Sequence, residues 1–446
     1  MTVQFKPFEL PIFPVPTFVP ELPDHVFSSR ASRLEKARID AGFDAILMYA
    51  DREHAANFEW RTGFSPRFEE ALWLEIAGQK RTVLVGNENL DFARQRLRVE
   101  ANVVLYQNFS LADQPRDSNI DLEACLRAAG LEPGMRVGLI GWKPMRMLDA
   151  PHWIVQAIHS VTNLEPENAT HLLMDAGHGL RVVLEPEMIQ FLEYAARLTS
   201  NSVRDWVNAL EPGLSERDAA KHFNSFGLEL GCHPMSNFSS RIESGVGSPR
   251  NRKAERGGYA QGAFCTVGSL TCRAGRLVSS TDADQDDYLE ITQNYLEVVR
   301  SWYASLHVGA IGGEFFAATN AAKNSSWDLA LNPGHLIHLD EWVSSPFYAG
   351  SSIALRSGIA IQQDLIPVPR QGGASLNMED GLVLADADLR GHLERLDPAL
   401  MQRCQTRRDW MMQLGYELHE DVLPLSDMAG VFFPFLLEPS LVAHFS

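Results

Sequence analysis

Short apolar runs alternate with helical segments over the first third of the chain, and this alternation restricts the fold more than any other feature. The runs at 44–49, 71–76 and 137–140 read as buried strands, and helical periodicity appears at 121–129 and 153–160. Strands joined by helices through short connections are typical of α/β domains with parallel strand pairing. The sequence therefore predicts an α/β domain in this part of the chain.

The pattern changes near residue 185, where longer helices begin. Helical periodicity predicts one helix from Pro186 to Leu210 and another from Asp286 to Leu306, with a pair of strands between them. The 446 residues of the chain exceed what one hydrophobic core usually organises. We therefore predict two domains, at 28–180 and 181–446.

The first 27 residues are a separate segment in this prediction. Prolines recur through the segment, and neither helical nor strand periodicity is evident. The same prolines prevent the apolar helical core that a signal peptide needs. We expect residues 1–27 to form an extended arm that lies over a surface, such as that of a partner subunit.

The composition excludes several classes of partner. The chain carries 39 basic and 57 acidic residues, a net charge of −18, which repels phosphate backbones and anionic lipid. No apolar stretch approaches the roughly 18 residues that suggest a bilayer span. Five cysteines, an odd number without a CxxC pair, are unlike a disulfide scaffold. We predict a reduced, cytoplasmic protein that binds neither nucleic acid nor membranes.

Eight short motifs follow one another in an order that is known from one protein family. They lie at 43–47, 60–64, 187–189, 195–197, 210–216, 334–339, 358–364 and 377–380. In this set and order the chain resembles the pita-bread family of creatinase, prolidase, aminopeptidase P and methionine aminopeptidase. The match covers nearly the whole chain beyond the arm.

The resemblance implies the fold class and the kind of partner. It implies an α+β chain, with an N-terminal creatinase-like α/β domain followed by a C-terminal pita-bread domain of the catalytic type. It also implies a small-molecule substrate and a homodimer in which the N-terminal domain caps the active site of the partner.

The resemblance also implies positions for the chemistry. Metal-dependent members hold two divalent ions with two aspartates on adjacent strands, one histidine and two glutamates. His335 matches the histidine, and Asp364 and Glu379 match the two glutamates. The strand pair at 265–280, where the aspartates belong, contains no carboxylate. Because two cations would then face each other unneutralised, we predict no dinuclear centre. A single divalent metal at His335, Asp364 and Glu379 remains an alternative.

Creatinase shows that this fold also works without metal, through one histidine that acts as acid and base. That histidine has no counterpart here, because no histidine occurs between His233 and His307. Of the carboxylates that clamp the substrate in creatinase, Glu379 matches one, and the other falls at Thr281 or Asp282. We therefore assign the catalytic roles to His335, Glu379 and Asp364.

Basic residues crowd the region where the metals would lie: Arg250, Arg252, Lys253, Arg256, Arg273 and Arg276. They predict either a solvated basic hairpin or a pocket that binds an anion through bidentate guanidinium contacts. The substrate-binding candidates are Arg67, Arg250, Arg273, His338, Glu341 and Asp282. Of these, Arg67 matches the loop that reaches into the partner's cleft in creatinase-like dimers.

Three functions are compatible with these residues. The first is a creatinase-like hydrolase or lyase that acts on a small, polar, nitrogenous and anionic substrate without a dinuclear metal centre. The second is a peptidase of the Xaa-Pro type with a single metal. The third is a catalytically silent protein that binds a ligand in the same cleft.

Overall fold

The computed structural model describes residues 3–66, 68–143, 147–240, 247–283, 285–370 and 376–446. The chain divides into two compact units. One is Leu22–Arg181, and the other combines Met1–Glu21 with Val182–Ser446. Among the described residues, no helix is both long and apolar enough to cross a bilayer.

The elements are numbered in chain order. The strands are β1 Val3–Pro7, β2 Ala45–Ala50, β3 Ala71–Ile76, β4 Thr82–Val85, β5 Asn102–Leu105, β6 Val137–Ile140, β7 Glu167–Asn168, β8 Met235–Ser239, β9 Tyr259–Thr266, β10 Ser269–Arg276, β11 Trp327–Leu329, β12 His335–Leu336, β13 Ala360–Asp364, β14 Pro367–Pro369, β15 Asn377–Leu384, β16 Val422–Pro424 and β17 Leu441–Phe445. The helices are α1 Asp24–Asp40, α2 Ala56–Thr62, α3 Asn89–Arg96, α4 Leu122–Ala128, α5 His152–Thr162, α6 His171–Met174, α7 Pro186–Ala209, α8 Glu216–Ala219, α9 Asp286–Ala304, α10 Gly312–Ala322, α11 Ala387–Leu396 and α12 Pro398–Gln413.

The N-terminal unit is built on a mixed sheet in the order β5-β4-β3-β2-β6-β7. Strands β2, β6 and β7 pair in parallel, as do β4 and β5. Strand β3 is antiparallel to both of its neighbours, so the prediction of parallel pairing is wrong there. The short link from β3 to β4 explains the second of these pairs, because a parallel connection needs a crossover of a dozen or more residues.

The C-terminal unit is built on an antiparallel sheet in the order β12-β13-β15-β10-β9-β8, with β16 pairing β15. The long amphipathic helix α7 begins with Pro186, which suits the first turn because its missing N–H has no helical partner there. This helix packs closely on the sheet. A Cβ added to Gly262 on β9 would lie 2.6 Å from the Trp206 indole. The glycine therefore permits the close approach of α7 to the strands that carry the candidate site.

The N-terminal arm belongs to the same unit. It contains strand β1, which pairs antiparallel with β17, so the prediction that it lacks regular structure is corrected. Farther along, Phe13 packs near Trp410, and the carbonyl oxygen of Pro14 accepts a hydrogen bond from Arg197. Helix α1 begins at Asp24, within the segment 1–27 that was predicted to be an extended arm. The arm thus covers the C-terminal unit of its own chain.

Candidate functional site

His335 lies in β12, where it is placed opposite Gln362 of β13. Its side chain is fully buried. The imidazole stacks on the Trp342 indole, with 4.0 Å between the ring centroids and 20° between the planes. The stacking fixes the plane of the imidazole and therefore the direction in which its nitrogens point.

The Nε2 atom of His335 faces two carboxylates. It lies 3.0 Å from Oε1 of Glu341 and 3.8 Å from Oδ2 of Asp364. Neither contact has hydrogen-bond alignment, and Nε2 makes no hydrogen bond to the described residues. Glu341 keeps 32% of its side chain exposed. A buried imidazole nitrogen is thus available between two acids, one of which reaches solvent.

Asp364 and Glu379 form a carboxyl pair across β13 and β15, where they are register partners. Burial raises the pKa of Asp364 well above its ordinary value, and the charge of Glu379 raises it further. Burial also raises the pKa of Glu379. The two carboxyls also interact directly, and this contact raises the pKa of Asp364 further, so Asp364 is the carboxyl of the pair that favours its protonated form. We call His335, Glu341, Asp364 and Glu379 the histidine–carboxylate cluster.

Neutral polar side chains surround this cluster on the neighbouring strands. Cys272 of β10 lies opposite Glu379 in the strand register. The Nδ2 atom of Asn377 lies 2.8 Å from Oε1 of Glu379 and 3.5 Å from the Cys272 sulfur. Gln261 of β9 lies 3.6 Å from the same sulfur. Sequence reasoning missed Gln261 and Asn377, although their alternation with Glu379 along paired strands would have indicated them.

These donors do not fit the dinuclear metal centre that the fold family implies. In the described part of the chain, no three His, Cys, Asp or Glu side chains are arranged to hold a metal ion. The strands β9 and β10 supply an amide and a thiol but no carboxylate. Burial raises the pKa of the Cys272 thiol well above its ordinary value. Two divalent cations would therefore lack the negative charge that they need.

Arg273, a predicted substrate ligand, points away from the cluster. Its Nη2 atom lies 2.9 and 3.1 Å from the two carboxylate oxygens of Asp380 and also donates to the carbonyl of Met428. Its Nε atom donates to the carbonyl of Val431 at 2.8 Å. The side chain is 1% exposed. Arg273 is thus a buried ion-pair residue, and this corrects its predicted role as an anion ligand.

Of the other predicted binding residues, Glu341 belongs to the cluster, whereas Arg250, Asp282 and His338 make their contacts elsewhere. Arg250 is exposed, with its Nε atom 3.6 Å from Glu216. Asp282 pairs with Arg256 at 2.7 Å, and this hydrogen bond lowers the pKa of Asp282. His338 is buried, and its Nδ1 atom accepts a hydrogen bond from the Leu339 amide. Arg67 lies outside the described residues.

The charge next to His335 is therefore negative, whereas one of the two alternatives predicted from the sequence was a basic, anion-binding pocket. Arg256 is engaged by Asp282, and Arg252 donates to the carbonyl of Phe238. Arg276 donates to the carbonyl of Gly257. The acids Glu341, Asp364 and Glu379 surround the imidazole instead. This arrangement favours a cation or a neutral hydrogen-bond donor over an anion.

An open cavity of about 570 Å³ lies beside the cluster. Trp342, which stacks on His335, forms part of its wall. The cavity is lined by Phe316, Asn320, Asp328, Leu329, Ala330, Leu331, Asn332 and Trp342. Its volume is within the range of about 300–1,000 Å³ that is usual for small-molecule sites.

Replacing Asp364 with asparagine should raise the melting temperature at pH 8 and leave it nearly unchanged at pH 4. An aspartate in the unfolded chain ionises near pH 4, at about 3.9, whereas burial raises the pKa of Asp364 in the fold. The stability that protonated Asp364 contributes is therefore present at low pH and is lost as pH rises. Asparagine stays neutral and avoids this loss. Thermal unfolding between pH 4 and pH 8 measures the difference.

Asp282→Asn is the matched control for that measurement. The pKa of Asp282 is lowered by its hydrogen bond to Arg256, so its contribution is present at high pH and lost as pH falls. The control should therefore show no gain at pH 8. Equal effects of the two substitutions on the melting temperature would contradict a raised pKa of Asp364 in the folded protein.

Comparison with known proteins identifies the fold. No protein-family model matches the chain, and no curated protein sequence matches it. Among solved structures, a prolidase from Pyrococcus horikoshii OT3 has a TM-score of 0.63 at 17% identity, covering 80% of this chain and 95% of that one. An Xaa-Pro dipeptidase from Bacillus anthracis has a TM-score of 0.62 at 17% identity, covering 81% and 96%.

A third solved structure with the same architecture is not named as a peptidase. The N-terminal domain of the FACT complex subunit SPT16 from Cicer arietinum (chickpea) has a TM-score of 0.58 at 13% identity, covering 82% of this chain and 95% of that one. The identity to all three structures is low, whereas nearly the full length of each is matched. The chain therefore has the two-domain pita-bread fold of the prolidases and is a divergent example of it.

Proposed function

We propose that this chain is a hydrolase that cleaves a C–N bond in a small nitrogenous substrate without a dinuclear metal centre. The observation that carries the proposal is the buried Nε2 atom of His335, which faces Glu341 and Asp364 without hydrogen-bonding the described residues. A histidine changes its protonation state near neutral pH and suits general acid–base catalysis.

The reaction assigns one role to each group. His335 Nε2 takes a proton from a water molecule as its oxygen attacks the substrate carbon. The C–N bond then breaks, its electron pair remains on nitrogen, and the imidazolium returns the proton to that nitrogen. Glu341, 3.0 Å away, stabilises the imidazolium between these steps. The Oδ1 atom of Asp364 is also without a hydrogen-bond partner among the described residues, and it orients the substrate.

The negative charge of the cluster supports a cationic or amide-bearing substrate. Glu341 and the carboxyl pair of Asp364 and Glu379 attract a guanidinium or ammonium group, and the exposed edge of Glu341 provides the contact with solvent. We therefore replace the anionic substrate of the sequence prediction with a cationic or neutral one, such as a guanidino compound.

The screen that tests this proposal measures thermal shifts with guanidino compounds, betaines, Xaa-Pro dipeptides and small dicarboxylates, each with and without Mn²⁺. A ligand at 100 times its dissociation constant stabilises by about 2.7 kcal/mol, so a shift of several degrees is expected. We expect guanidino compounds to stabilise the protein without Mn²⁺ and to release an amine or urea product. Stabilisation by dicarboxylates alone would contradict the proposed charge of the site.

Two other functions are outcomes of the same screen. An Xaa-Pro peptidase is favoured by the likeness to the prolidase and the Xaa-Pro dipeptidase. It would be stabilised by Xaa-Pro dipeptides only with Mn²⁺ and would contain stoichiometric metal. A silent binding protein is the third outcome. It would be stabilised by a ligand that remains intact. The homodimer and the cytoplasmic location remain predictions.

A further inference from the structure

Cys265 lies against the chain segment that precedes β8. The Gly231 amide donates a hydrogen bond to the carbonyl of Cys265 at 3.3 Å, and Leu230 forms a bridge with Thr266. A Cβ added to Gly231 would lie 2.4 Å from the Cys265 sulfur. The sulfur therefore occupies the space that a side chain at Gly231 would need, directly beside the backbone of Cys232.

Cys232 packs on the same side of the sheet. It contacts the buried cluster formed by Met235, Ala263, Cys265, Leu270 and Cys272. The Cys265 sulfur donates a hydrogen bond to the carbonyl of Thr266 at 3.5 Å, and its interaction with the Cys232 side chain, together with burial, raises the pKa of Cys265 well above its ordinary value. Cys232 is partly exposed, whereas Cys265 is buried. The Cys232 side chain is thus partly accessible to solvent, whereas the Cys265 side chain lies beside it in the core.

We propose that Cys232 and Cys265 are a reversible thiol pair that a peroxide oxidises to an intramolecular disulfide. The partly exposed thiol reacts first, because a reactive thiol needs access to the oxidant.

The two steps balance as follows. The Cys232 thiol loses its proton, the resulting thiolate attacks one peroxide oxygen, the O–O bond breaks, and Cys232 becomes a sulfenic acid while the leaving hydroxide takes up that proton as one water. The Cys265 sulfur then attacks the sulfenic sulfur, the S–O bond breaks, and the leaving hydroxide takes the Cys265 proton as a second water. Two thiols are oxidised and one hydrogen peroxide is reduced.

The test treats the full-length protein with hydrogen peroxide, blocks free thiols with iodoacetamide and digests it with trypsin under non-reducing conditions. Arg250, Lys253 and Arg256 lie between the two cysteines, so trypsin leaves them on separate peptides. We expect a cross-linked peptide pair that dithiothreitol releases. Of the five free thiols, three should remain for alkylation, because the disulfide consumes two.

Three variants make the result specific. Cys232→Ser and Cys265→Ser should each abolish the cross-link, whereas Cys272→Ser, which removes another cysteine of the same packed cluster, should leave it intact. Far-UV circular dichroism checks that each variant is folded. Because Cys265 and Cys272 lie on one tryptic peptide, 257–273, fragmentation of the cross-linked pair in the mass spectrometer locates the bond in the wild-type protein. The proposal is overturned if peroxide leaves five free thiols, drives Cys232 to a sulfinic acid without a cross-link, or joins Cys265 to Cys272.

Discussion

Replacing Arg407 with methionine should lower the free energy of unfolding by about 3–5 kcal/mol, because it removes one partner of a buried ion-pair network. The Nη2 atom of Arg407 lies 2.7 Å from Glu193 and 2.6 Å from Asp427. All three side chains are almost completely buried. Methionine retains much of the apolar stem but removes the nearest cation from both buried carboxylates, so that Glu193 keeps Arg403 at 2.8 Å and Asp427 keeps Arg197 only at 3.6 Å.

The loss should also depend on pH. Burial raises the pKa of Glu193, but Arg407 and Arg403 outweigh burial and hold the pKa below its ordinary value. A lowered pKa contributes stability above the unfolded pKa, and this contribution is lost as pH falls. The difference between Arg407→Met and the wild-type protein should therefore be largest near pH 7 and should decrease toward pH 4.

Denaturant unfolding followed by far-UV circular dichroism measures this effect. Arg370→Met is the matched control, because Arg370 forms a similar pair with Asp328 at 2.8 Å on the exposed surface. Exposed pairs contribute about 0–1 kcal/mol, so the control should change little. Combining Arg407→Met with Glu193→Gln and Asp427→Asn should recover most of the loss. If Arg407→Met costs no more than the control, the network does not act as a unit.

The local part of the fold could be predicted from the sequence. The helix predicted at Pro186 to Leu210 is observed as Pro186–Ala209, and the helix predicted at Asp286 to Leu306 is observed as Asp286–Ala304. The periodicity of apolar residues and the proline at the first turn are local signals. They determine where a helix forms without knowledge of its partners.

The parts that the sequence could not predict depend on distant partners. Strand β1 is stabilised by β17 at the opposite end of the chain. Nothing within 3–7 indicates that partner, and the prolines of the arm suggested an extended segment without regular structure. The antiparallel placement of β3 is likewise a property of its neighbours in the sheet.

The dependence on distant partners also explains which of the predicted site residues lie together in the structure. Motif matching selected His335, Asp364 and Glu379, and the structure brings these three into one cluster. Arg273 was selected by charge alone, but strand alternation turns Cys272 toward Glu379 and Arg273 toward Asp380. The sequence does not reveal which face of β10 lies over the site, because β10 is buried on both faces.

Replacing His335 with glutamine should reduce kcat/KM by about 10²- to 10⁴-fold on the substrate that the ligand screen identifies, the range typical of general acid–base groups. Glutamine is similar in size and retains polar atoms, but it cannot take up and return a proton near neutral pH. The stacking on Trp342 and the contact with Glu341 would be weakened, so ligand affinity should change less than turnover. Steady-state kinetics and thermal shifts with the same ligand separate these two effects.

His307→Gln is the control for this substitution. His307 is not one of the residues of the histidine–carboxylate cluster, and its Nδ1 atom is 2.9 Å from the carbonyl oxygen of Val308. The control should keep turnover within a few-fold of the wild-type value. If His335→Gln lowers turnover and its residual activity also lacks the acid limb of the pH–rate profile, the proton transfer is assigned to His335. A merely structural role would lower turnover without changing the shape of that profile. Turnover that survives His335→Gln with an unchanged pH profile would refute the assignment, because a group other than His335 would then carry the proton.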